Sequence, residues 1–285
     1  MGNNLKKVIT AILIVIMFAS LPMISRAAEE STDDKPTGDA TVAVLSKYVW
    51  RGQELSRDSI VIQPSLTAGY KGFTVNLWGN LDTDPYYNGT DNKSFSSAWT
   101  ETDFTASYSK TIGLFNLGAG YIYYGLGAAN QDAADLLDSQ EIFASVGMNT
   151  ILSPTLTVYK EIDHYHQWYF LLGVSHAFEL NKIVSLKLAA TASYLLSTDE
   201  TTYMEYDDNC LPTSDKFENF HDGTLTVSLP VKATSYITLT PMISYVFPLS
   251  DDAKDEMKGR GITGEAPADR DSSFLYGGLM ASFTF

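Results

Sequence analysis

The chain has 285 residues, 12% of them aromatic, and carries 34 acidic residues against 19 basic ones. A formal net charge of −15 excludes nucleic acid as a partner, because such binding needs basic patches that displace counterions. The single cysteine, Cys210, excludes an internal disulfide framework, and we expect it to be an inert thiol.

The N-terminal segment, residues 1–27, has the pattern of a secretory signal peptide. Two lysines precede an almost wholly apolar stretch over residues 8–25, and Ser25-Arg26-Ala27 places small residues where a signal peptidase reads them. A membrane-spanning helix is the alternative, since about 18 apolar residues can just span a bilayer. Removal of the segment takes away Lys6, Lys7 and Arg26, which leaves 16 basic residues against 34 acidic ones and a formal charge of −18.

The rest of the chain is predicted to be a polar periplasmic leader, residues 28–39, followed by one β-barrel over residues 40–285. Tyr and Phe are abundant, with 17 and 14 residues, and this composition favours strands. No long apolar run follows the signal segment. A membrane protein without such runs must cross the bilayer as a closed barrel, because only helices and closed barrels satisfy every backbone group in lipid.

Twelve segments have the alternation and the length of membrane strands. Most have 10–14 residues, and a tilted strand needs about 9–11 residues to cross the hydrocarbon. In the ninth segment, for example, Leu186 and Leu188 share one face while Ser185 and Lys187 share the other. The segments are 40–50, 58–70, 72–81, 98–110, 114–125, 139–149, 154–163, 167–178, 184–196, 218–229, 234–247 and 272–285.

The connections between these segments indicate how the strands are arranged. Counted along the chain, the even-numbered links are all short and most odd-numbered links are long. Short periplasmic turns, long outer loops and an even strand number are typical of outer-membrane barrels, whereas a soluble sandwich has the same alternation without this sorting. The predicted fold class is all-β: a transmembrane antiparallel up-and-down β-barrel of about 12 strands. We expect it in the outer membrane of a Gram-negative bacterium, with both termini in the periplasm.

Aromatic residues cluster near the ends of the predicted strands. Amphipathic rings favour the two lipid–water boundaries, so the clusters predict two aromatic girdles on the outer face of the barrel. The girdle residues are Tyr48, Trp50, Tyr70, Phe73, Trp99, residues 121–124, Trp168, Tyr169, Tyr245 and Phe247.

The last predicted strand ends at the final residue, Phe285. Its odd-numbered positions from Leu275 to Phe285 share one face and are apolar or small. This resembles the terminal strand by which barrel precursors are recognised for insertion into the outer membrane. We therefore expect Phe283 and Phe285 to act as an assembly signal for the barrel-assembly machinery.

Polar residues on the inward parity of the strands predict the lining of a pore. Carboxylates outnumber basic groups there, which favours passive diffusion of small solutes with a preference for cations. A twelve-stranded barrel lies between filled small barrels and open large ones, so a non-conducting barrel plugged by salt bridges is the alternative. The candidate pore-lining residues are Lys47, Arg51, Asn76, Trp78, Glu101, Asp103, Glu141, Tyr159, Glu161 and Lys187.

The predicted outer loops are acidic over residues 132–138, 199–215, 251–256 and 269–271. We expect most of these side chains to be solvated. They are also suited to bridging divalent cations with lipopolysaccharide, so outer-membrane lipid and lipopolysaccharide are expected partners.

Other chemistry is weakly supported by the sequence. His164 and His166, with Glu161 and Asp163 upstream, have the spacing of a metal site, but a solvated loop is the favoured interpretation. An outer-leaflet hydrolase would need a histidine and a serine near the outer boundary. His221 is predicted near the outer end of its strand and could serve with a nearby serine, but no motif supports this, and His176 is predicted near the periplasmic end. We therefore expect no enzyme activity, no metal and no cofactor.

The segment Ser46-Lys47-Tyr48-Val49-Trp50-Arg51-Gly52, with Ser56 after it, resembles the N-terminal signature of the TorF-type porin family. The resemblance implies a barrel of porin type. The order of Gln63 and Pro64 in the following strand differs from the usual form of that family. Further matches are Gln63-Pro64, Gly72-Phe73, Trp78-Gly79-Asn80, the trio Tyr159, Glu161 and Asp163, and Gly173-Val174-Ser175-His176.

Overall fold

A computed structural model describes residues 35–56, 59–85, 98–127, 138–261 and 266–285. The described residues form a barrel of twelve antiparallel strands, each paired with the strands before and after it in the chain. The strands are β1 Thr37–Leu45, β2 Val61–Tyr70, β3 Phe73–Asp82, β4 Ala98–Ile112, β5 Phe115–Leu126, β6 Ser139–Met148, β7 Thr155–Glu161, β8 Gln167–Glu179, β9 Ser185–Ser197, β10 Glu218–Ser228, β11 Ile237–Pro248 and β12 Phe274–Thr284.

The barrel is closed by the pairing of its first and last strands. Val44 lies opposite Leu279 and Ala40 lies opposite Phe283 in the β1–β12 ladder. The pairing of β10 with β11 completes the ring. Each of the twelve predicted segments corresponds to one observed strand, so the predicted fold class is confirmed.

The connections sort to the two ends of the barrel as predicted. Tight links lie at one end, which we call the turn end, and most links at the other end, the loop end, are longer. Turn-end links are 71–72, 113–114, 149–154, 180–184 and 229–236, and loop-end links are 46–60, 83–97, 127–138, 162–166, 198–217 and 249–273. Residues 162–166 are the one short link at the loop end.

The first strand differs from its predicted bounds of 40–50. It begins at Thr37, so residues 37–39 of the predicted leader lie in the barrel wall, and it ends at Leu45. The chain then forms a small hairpin, whose turn has positive φ angles of 46° at Arg51 and 77° at Gly52. Residues 46–56, which we call the inner hairpin, therefore leave the wall and enter the lumen.

The wall is apolar outside and polar inside, as alternation predicts. Large apolar side chains such as Leu77, Phe104 and Ile243 are exposed on the outer face. The girdle prediction is wrong for four residues that lie inside the barrel: Tyr48, Trp50, Tyr124 and Tyr169. Trp50 is half-buried and the other three are buried. Tyr48 packs there against Trp78, Trp50 against Tyr124, and Tyr169 against His221. Tyr48 and Trp50 lie on the inner hairpin rather than on a strand end, and Tyr169 has the inward parity of β8.

The loop end carries the helical elements of the described structure. Helix α1 spans Asp251–Arg260 and is capped by the Ser250 side chain, which accepts a hydrogen bond from the backbone N–H of Ala253. A single 3₁₀ turn follows at Pro267–Asp269. Among the described residues, no helix has the length and apolar character needed to cross a membrane.

The last strand has the outward apolar face that its sequence predicts. Leu275, Leu279, Phe283 and Phe285 are exposed on the outer face, and Phe285 is 66% exposed. The backbone of Phe285 exchanges two hydrogen bonds with Gly38, at 2.8 and 2.9 Å. The final residue thus belongs to the seam that closes the barrel.

Deletion of Phe285 should strongly reduce outer-membrane insertion and leave the chain in the periplasm, because both an outward aromatic ring and two seam hydrogen bonds are lost. Cell fractionation and heat-modifiable gel mobility measure this. Phe285→Tyr, which keeps the ring and the backbone bonds, serves as the matched control and should insert normally. Normal insertion of the deletion variant would contradict the assembly role of Phe285.

Candidate functional site: the loop-end lumen

The two halves of the lumen differ in the size of their side chains. Small hydroxyl residues line the half nearer the turn end, whereas charged and aromatic residues fill the half nearer the loop end. The former include Thr67, Ser107, Ser145, Ser175 and Ser228, and the latter include Arg51, Glu101, Glu141, Tyr159, Tyr169 and Asp222. The half of the lumen that the inner hairpin and the loops enter is therefore the half with the larger side chains.

Arg51 is the centre of the inner hairpin's contacts with the wall. Its Nη2 atom lies 2.7 Å from Oε2 of Glu141 on β6, and both residues are buried. The guanidinium carbon lies 4.5 Å from the ring centroid of Trp50, 4.2 Å from that of Tyr169 and 5.3 Å from that of Tyr159. Stacking on ring faces and a charge-assisted hydrogen bond together hold the hairpin tip against the wall.

A second contact of the inner hairpin reaches β4. The Tyr48 hydroxyl donates a 2.7 Å hydrogen bond to Glu101, and the Tyr48 ring packs on Trp78. Asp103 lies next to Glu101 on the same inward face of the strand. Lys47 pairs with Glu54 of the hairpin at 2.6 Å. The charge of Lys47 is thus balanced within the hairpin by Glu54. The hairpin partner of Glu101 on β4 is a tyrosine hydroxyl and not a cation.

Glu256 of α1 joins three elements at the loop end. Its carboxylate lies 2.8 Å from His221 Nε2 on β10, and it accepts hydrogen bonds from Gln53 of the inner hairpin and from the Tyr203 hydroxyl. Arg260 Nε lies 3.1 Å from the same carboxylate. Glu256 and its partners His221, Gln53 and Tyr203 are buried, so Glu256 acts as a hub that fixes helix, hairpin and loop 198–217 to the wall.

The buried position of Glu256 determines its charge state. Burial alone would raise the pKa of this carboxyl group, but His221, Arg260 and the Tyr203 hydroxyl hold the pKa below its ordinary value. The hub is therefore ionised at neutral pH.

His221 does not have the surroundings of a hydrolytic base. Its Nδ1 lies 3.0 Å from Asp222 and its Nε2 is taken by Glu256, so both ring nitrogens face carboxylates. The nearby Ser193 hydroxyl donates to Asp222 at 2.6 Å instead of contacting the imidazole. The geometry therefore gives no support to the hydrolase alternative at this histidine.

Glu161, which the sequence predicts in the pore lining, is instead bound to the backbone of a short loop. Its two oxygens accept backbone N–H groups of residues 163–166 at 2.6 to 3.0 Å, and Ser139 donates a further hydrogen bond at 2.9 Å. Glu161 thus stabilises the short loop and offers no free carboxylate to the lumen or to His164 and His166. No cluster of potential metal ligands occurs among the described residues.

The structure brings more than half of the predicted pore-lining residues together. Arg51 lies on the inner hairpin, and Glu101, Asp103, Glu141 and Tyr159 lie on the wall around it, with Trp78 packed against Tyr48 of the hairpin base. Asn76 and Trp78 lie on the inner face of β3, where Asn76 contacts Ser65 and Thr67. Lys187 lies on the inner face of β9, near the turn end and away from this group. The sequence predicts Lys47 and Arg51 at the end of the first strand. In the structure they reach the lumen from the inner hairpin instead.

The sequence analysis did not identify Gln53, Tyr203, Asp222 or Glu256 as site residues. Glu256 and Asp255 were expected in a solvated acidic loop, and both are buried on α1. A usable signal was present, since Ser250 precedes two aspartates and the segment ends in Lys258 and Arg260, the charge pattern of a capped helix.

Cys210 lies in loop 198–217 as a free, buried thiol. Burial raises the pKa of this thiol above its ordinary value. A raised thiol pKa lowers the thiolate fraction and hence the reactivity of the group, as the expectation of an inert cysteine requires.

Solved structures with a similar fold are outer-membrane channels. The COG4313 outer membrane channel from Pseudomonas putida F1 aligns with a TM-score of 0.51 and 12% identity, over 90% of this chain and 97% of that chain. The NanC porin aligns with a TM-score of 0.50 and 10% identity, over 86% of this chain and 98% of that chain. At such low identity these similarities show a shared barrel fold and nothing finer.

Comparison at the sequence level gives the family. No curated protein matches this chain. The family model described as "Bacterial protein of unknown function (Gcw_chp)" matches residues 29–206, more than half of the chain, from before β1 to the middle of loop 198–217. This range includes the inner hairpin and most of its contacts on the wall. The chain belongs to the Gcw_chp family of bacterial proteins.

Proposed function

We propose that this protein is a porin-like channel of the bacterial outer membrane, which lets small solutes diffuse passively and prefers cations. The observation that carries the proposal is a closed barrel, apolar outside and polar inside. The loop-end half of its lumen holds acidic side chains around the inner hairpin, and we call this group the acidic constriction. The resemblance to TorF-type porins and the barrel fold shared with known channels support the same function.

The charges at the constriction favour cations. Glu101, Asp103 and Glu141 face the lumen from β4 and β6, and Arg51 is paired with Glu141. Lys47, the other nearby base, is paired with Glu54. In a confined lumen with low-dielectric walls, an excess of carboxylates concentrates cations and excludes anions.

The proposed orientation places the loop end outside the cell and the termini in the periplasm. It rests on the sorting of short and long connections and on a signal peptide cleaved near Ala27. The barrel-assembly machinery and outer-membrane lipid would then be its partners during and after insertion, and the acidic loops would face lipopolysaccharide.

This orientation predicts which epitope tags react on intact cells. A tag inserted after Asn209, an exposed position of loop 198–217, should bind antibody from outside. A tag after Lys182, in a turn-end link, should bind only after the cells are permeabilised. Residue 255, which the sequence places in a loop, is a poor tag position because it is buried on α1. Reversed labelling would overturn the orientation.

A second candidate function is a non-conducting barrel whose loops bind a partner. The dense packing of the loop-end lumen favours it, since Glu141, Glu256, His221 and Phe217 are fully or almost fully buried. A planar-bilayer recording of the refolded protein distinguishes the two candidates, because a plugged barrel passes no current.

Neutralising the acidic constriction tests the selectivity. The triple variant Glu101→Gln, Asp103→Asn, Glu141→Gln should lose the cation preference, because Arg51 would then be the dominant charge at the constriction. Reversal potentials in a salt gradient measure the ratio of cation to anion permeability.

A matched control variant changes three carboxylates outside the lumen. Replacing Asp199, Asp207 and Asp215 of loop 198–217 by Asn should change the permeability ratio less, and less still at high salt, because exposed charges are screened beyond about 8 Å at physiological ionic strength. Anion preference of the wild-type channel at low salt would refute the selectivity, and an absence of current would favour the second candidate.

A further inference from the structure

Three buried oxygen atoms on the β9–β10 wall have no hydrogen-bond partner in the described structure. They are Oδ2 of Asp222, Oγ1 of Thr191 and Oγ1 of Thr224. The exposed fractions of these residues are 0%, 2% and 1% respectively. Buried polar groups are nearly always paired with protein or with a bound species, so three such atoms in one place indicate an occupant.

The strand register places the three side chains together. Thr191 lies directly opposite Thr224 in the β9–β10 ladder, and Asp222 precedes Thr224 by two residues on the same inward face. Ser193, which bonds Asp222, is the next inward residue of β9 after Thr191. Facing side chains of an antiparallel pair have Cβ atoms about 4.5–5.5 Å apart and diagonal neighbours lie about 7–8 Å apart, so the three side chains share one small patch of the inner wall.

The two oxygens of the Asp222 carboxylate have unequal surroundings. Oδ1 accepts hydrogen bonds from Tyr169 at 2.7 Å and Ser193 at 2.6 Å, and it lies 3.0 Å from His221 Nδ1. Oδ2 accepts none, although two threonine hydroxyls that could donate to it are its neighbours. The hydroxyls make no direct hydrogen bond to Oδ2, and one small species that bridges them to the carboxylate would satisfy all three oxygens.

We propose that Asp222, Thr191 and Thr224 bind one small monovalent cation of the Na⁺ or K⁺ class. A single carboxylate oxygen with two neutral hydroxyls offers too little charge for a divalent ion, which is usually held by several carboxylates. His221 contacts the other oxygen of Asp222, and the positive charge of Arg51 is directed to Glu141, so Oδ2 accepts no hydrogen bond from a basic group of the described structure.

This site rests on the proposed function, because it would be a position at which permeating cations bind. Its test measures thermal unfolding and does not require a current. The folded full-length protein in detergent micelles is heated in NaCl or in choline chloride at equal ionic strength. Choline is too large for the site. A ligand that binds only the folded state raises the unfolding temperature, so we expect a rise of about 3 °C or more in NaCl.

Valine variants assign the effect to the site. Thr191→Val with Thr224→Val removes both hydroxyls at nearly constant shape and should abolish the difference between NaCl and choline chloride. Thr226→Val is the matched control, because the Thr226 hydroxyl is already bonded to Ser244 at 2.6 Å, and it should keep the difference. If the double variant does not fold, each single variant should reduce the difference.

The outcomes separate this site from the channel. An equal unfolding temperature of the wild type in both salts would show an ordered water only and overturn the site. Broadening of the ²³Na NMR signal by the wild type, reversed by added K⁺, provides an independent readout. A sodium-dependent rise without current would keep the site and remove the channel, whereas current without the rise would remove the site alone.

Discussion

Replacing Glu256 by alanine should raise the single-channel conductance several-fold. Glu256 is the one carboxylate that contacts α1's own Arg260, the wall residue His221, the inner hairpin through Gln53 and loop 198–217 through Tyr203. Its removal leaves the buried His221 and Arg260 without this partner, and breaking a buried ion pair costs about 3–5 kcal/mol. Much of that cost is relieved if helix and loop leave the lumen, which widens the path.

Single-channel recording and limited proteolysis of α1 in the refolded variant measure this release. Asp251→Ala is the matched control, because Asp251 is on the same helix but exposed, and it should leave both readouts unchanged. Unchanged conductance and unchanged protease resistance in Glu256→Ala would show that α1 stays in the lumen without the hub.

The pH dependence of this release follows from the lowered pKa of Glu256. A depressed pKa means that the carboxylate contributes stability above its ordinary pKa, and that this contribution is lost as the pH falls through the lower folded value. Helix α1 should therefore stay attached to the wall across the neutral range and be released only in strong acid.

The wall of the barrel could be predicted from the sequence because a strand has a period of two. Alternation, strand length and the sorting of links each depend on local residues, and together they identified all twelve strands. The same parity correctly placed residues such as Glu101 and Lys187 on the inner face. Parity gives the face of a residue, however, and does not tell how far a loop reaches into the lumen.

The parts that the sequence analysis missed are set by contacts between distant segments. Residues 46–50 alternate like a strand, yet they leave the wall because the Arg51–Gly52 turn is stabilised by aromatic rings and a carboxylate from β6, β7 and β8. Helix α1 is polar, with acidic residues that the sequence assigns to solvent, and one face of it is buried because Glu256 pairs with His221 of the wall. The wall residues that contact the Arg51–Gly52 turn, and His221 that contacts Glu256, are brought to these segments only by the closed barrel, so the sequence alone does not identify them.

Arg51 offers the most direct control of the constriction. Burial acts to lower the pKa of this guanidinium, but Glu141 and the tyrosines Tyr124 and Tyr169 raise it above its ordinary value, so Arg51 is charged at any physiological pH. Arg51→Ala should release the hairpin tip, because Glu141 loses its cation and the aromatic rings lose their stacking partner. We expect a larger conductance together with a stronger cation preference, since the one basic group among the carboxylates is gone.

Two companion variants separate charge from packing. Arg51→Lys keeps the charge but not the planar group that stacks on the rings, so its selectivity should stay near that of the wild type while its conductance increases partly. The double variant Arg51→Met, Glu141→Met removes both charges at similar volume and should restore a small conductance, because a buried ion pair can be replaced by apolar side chains at little cost. If Arg51→Ala conducts like the wild type while Glu256→Ala conducts more, then α1 and not the inner hairpin sets the width of the lumen.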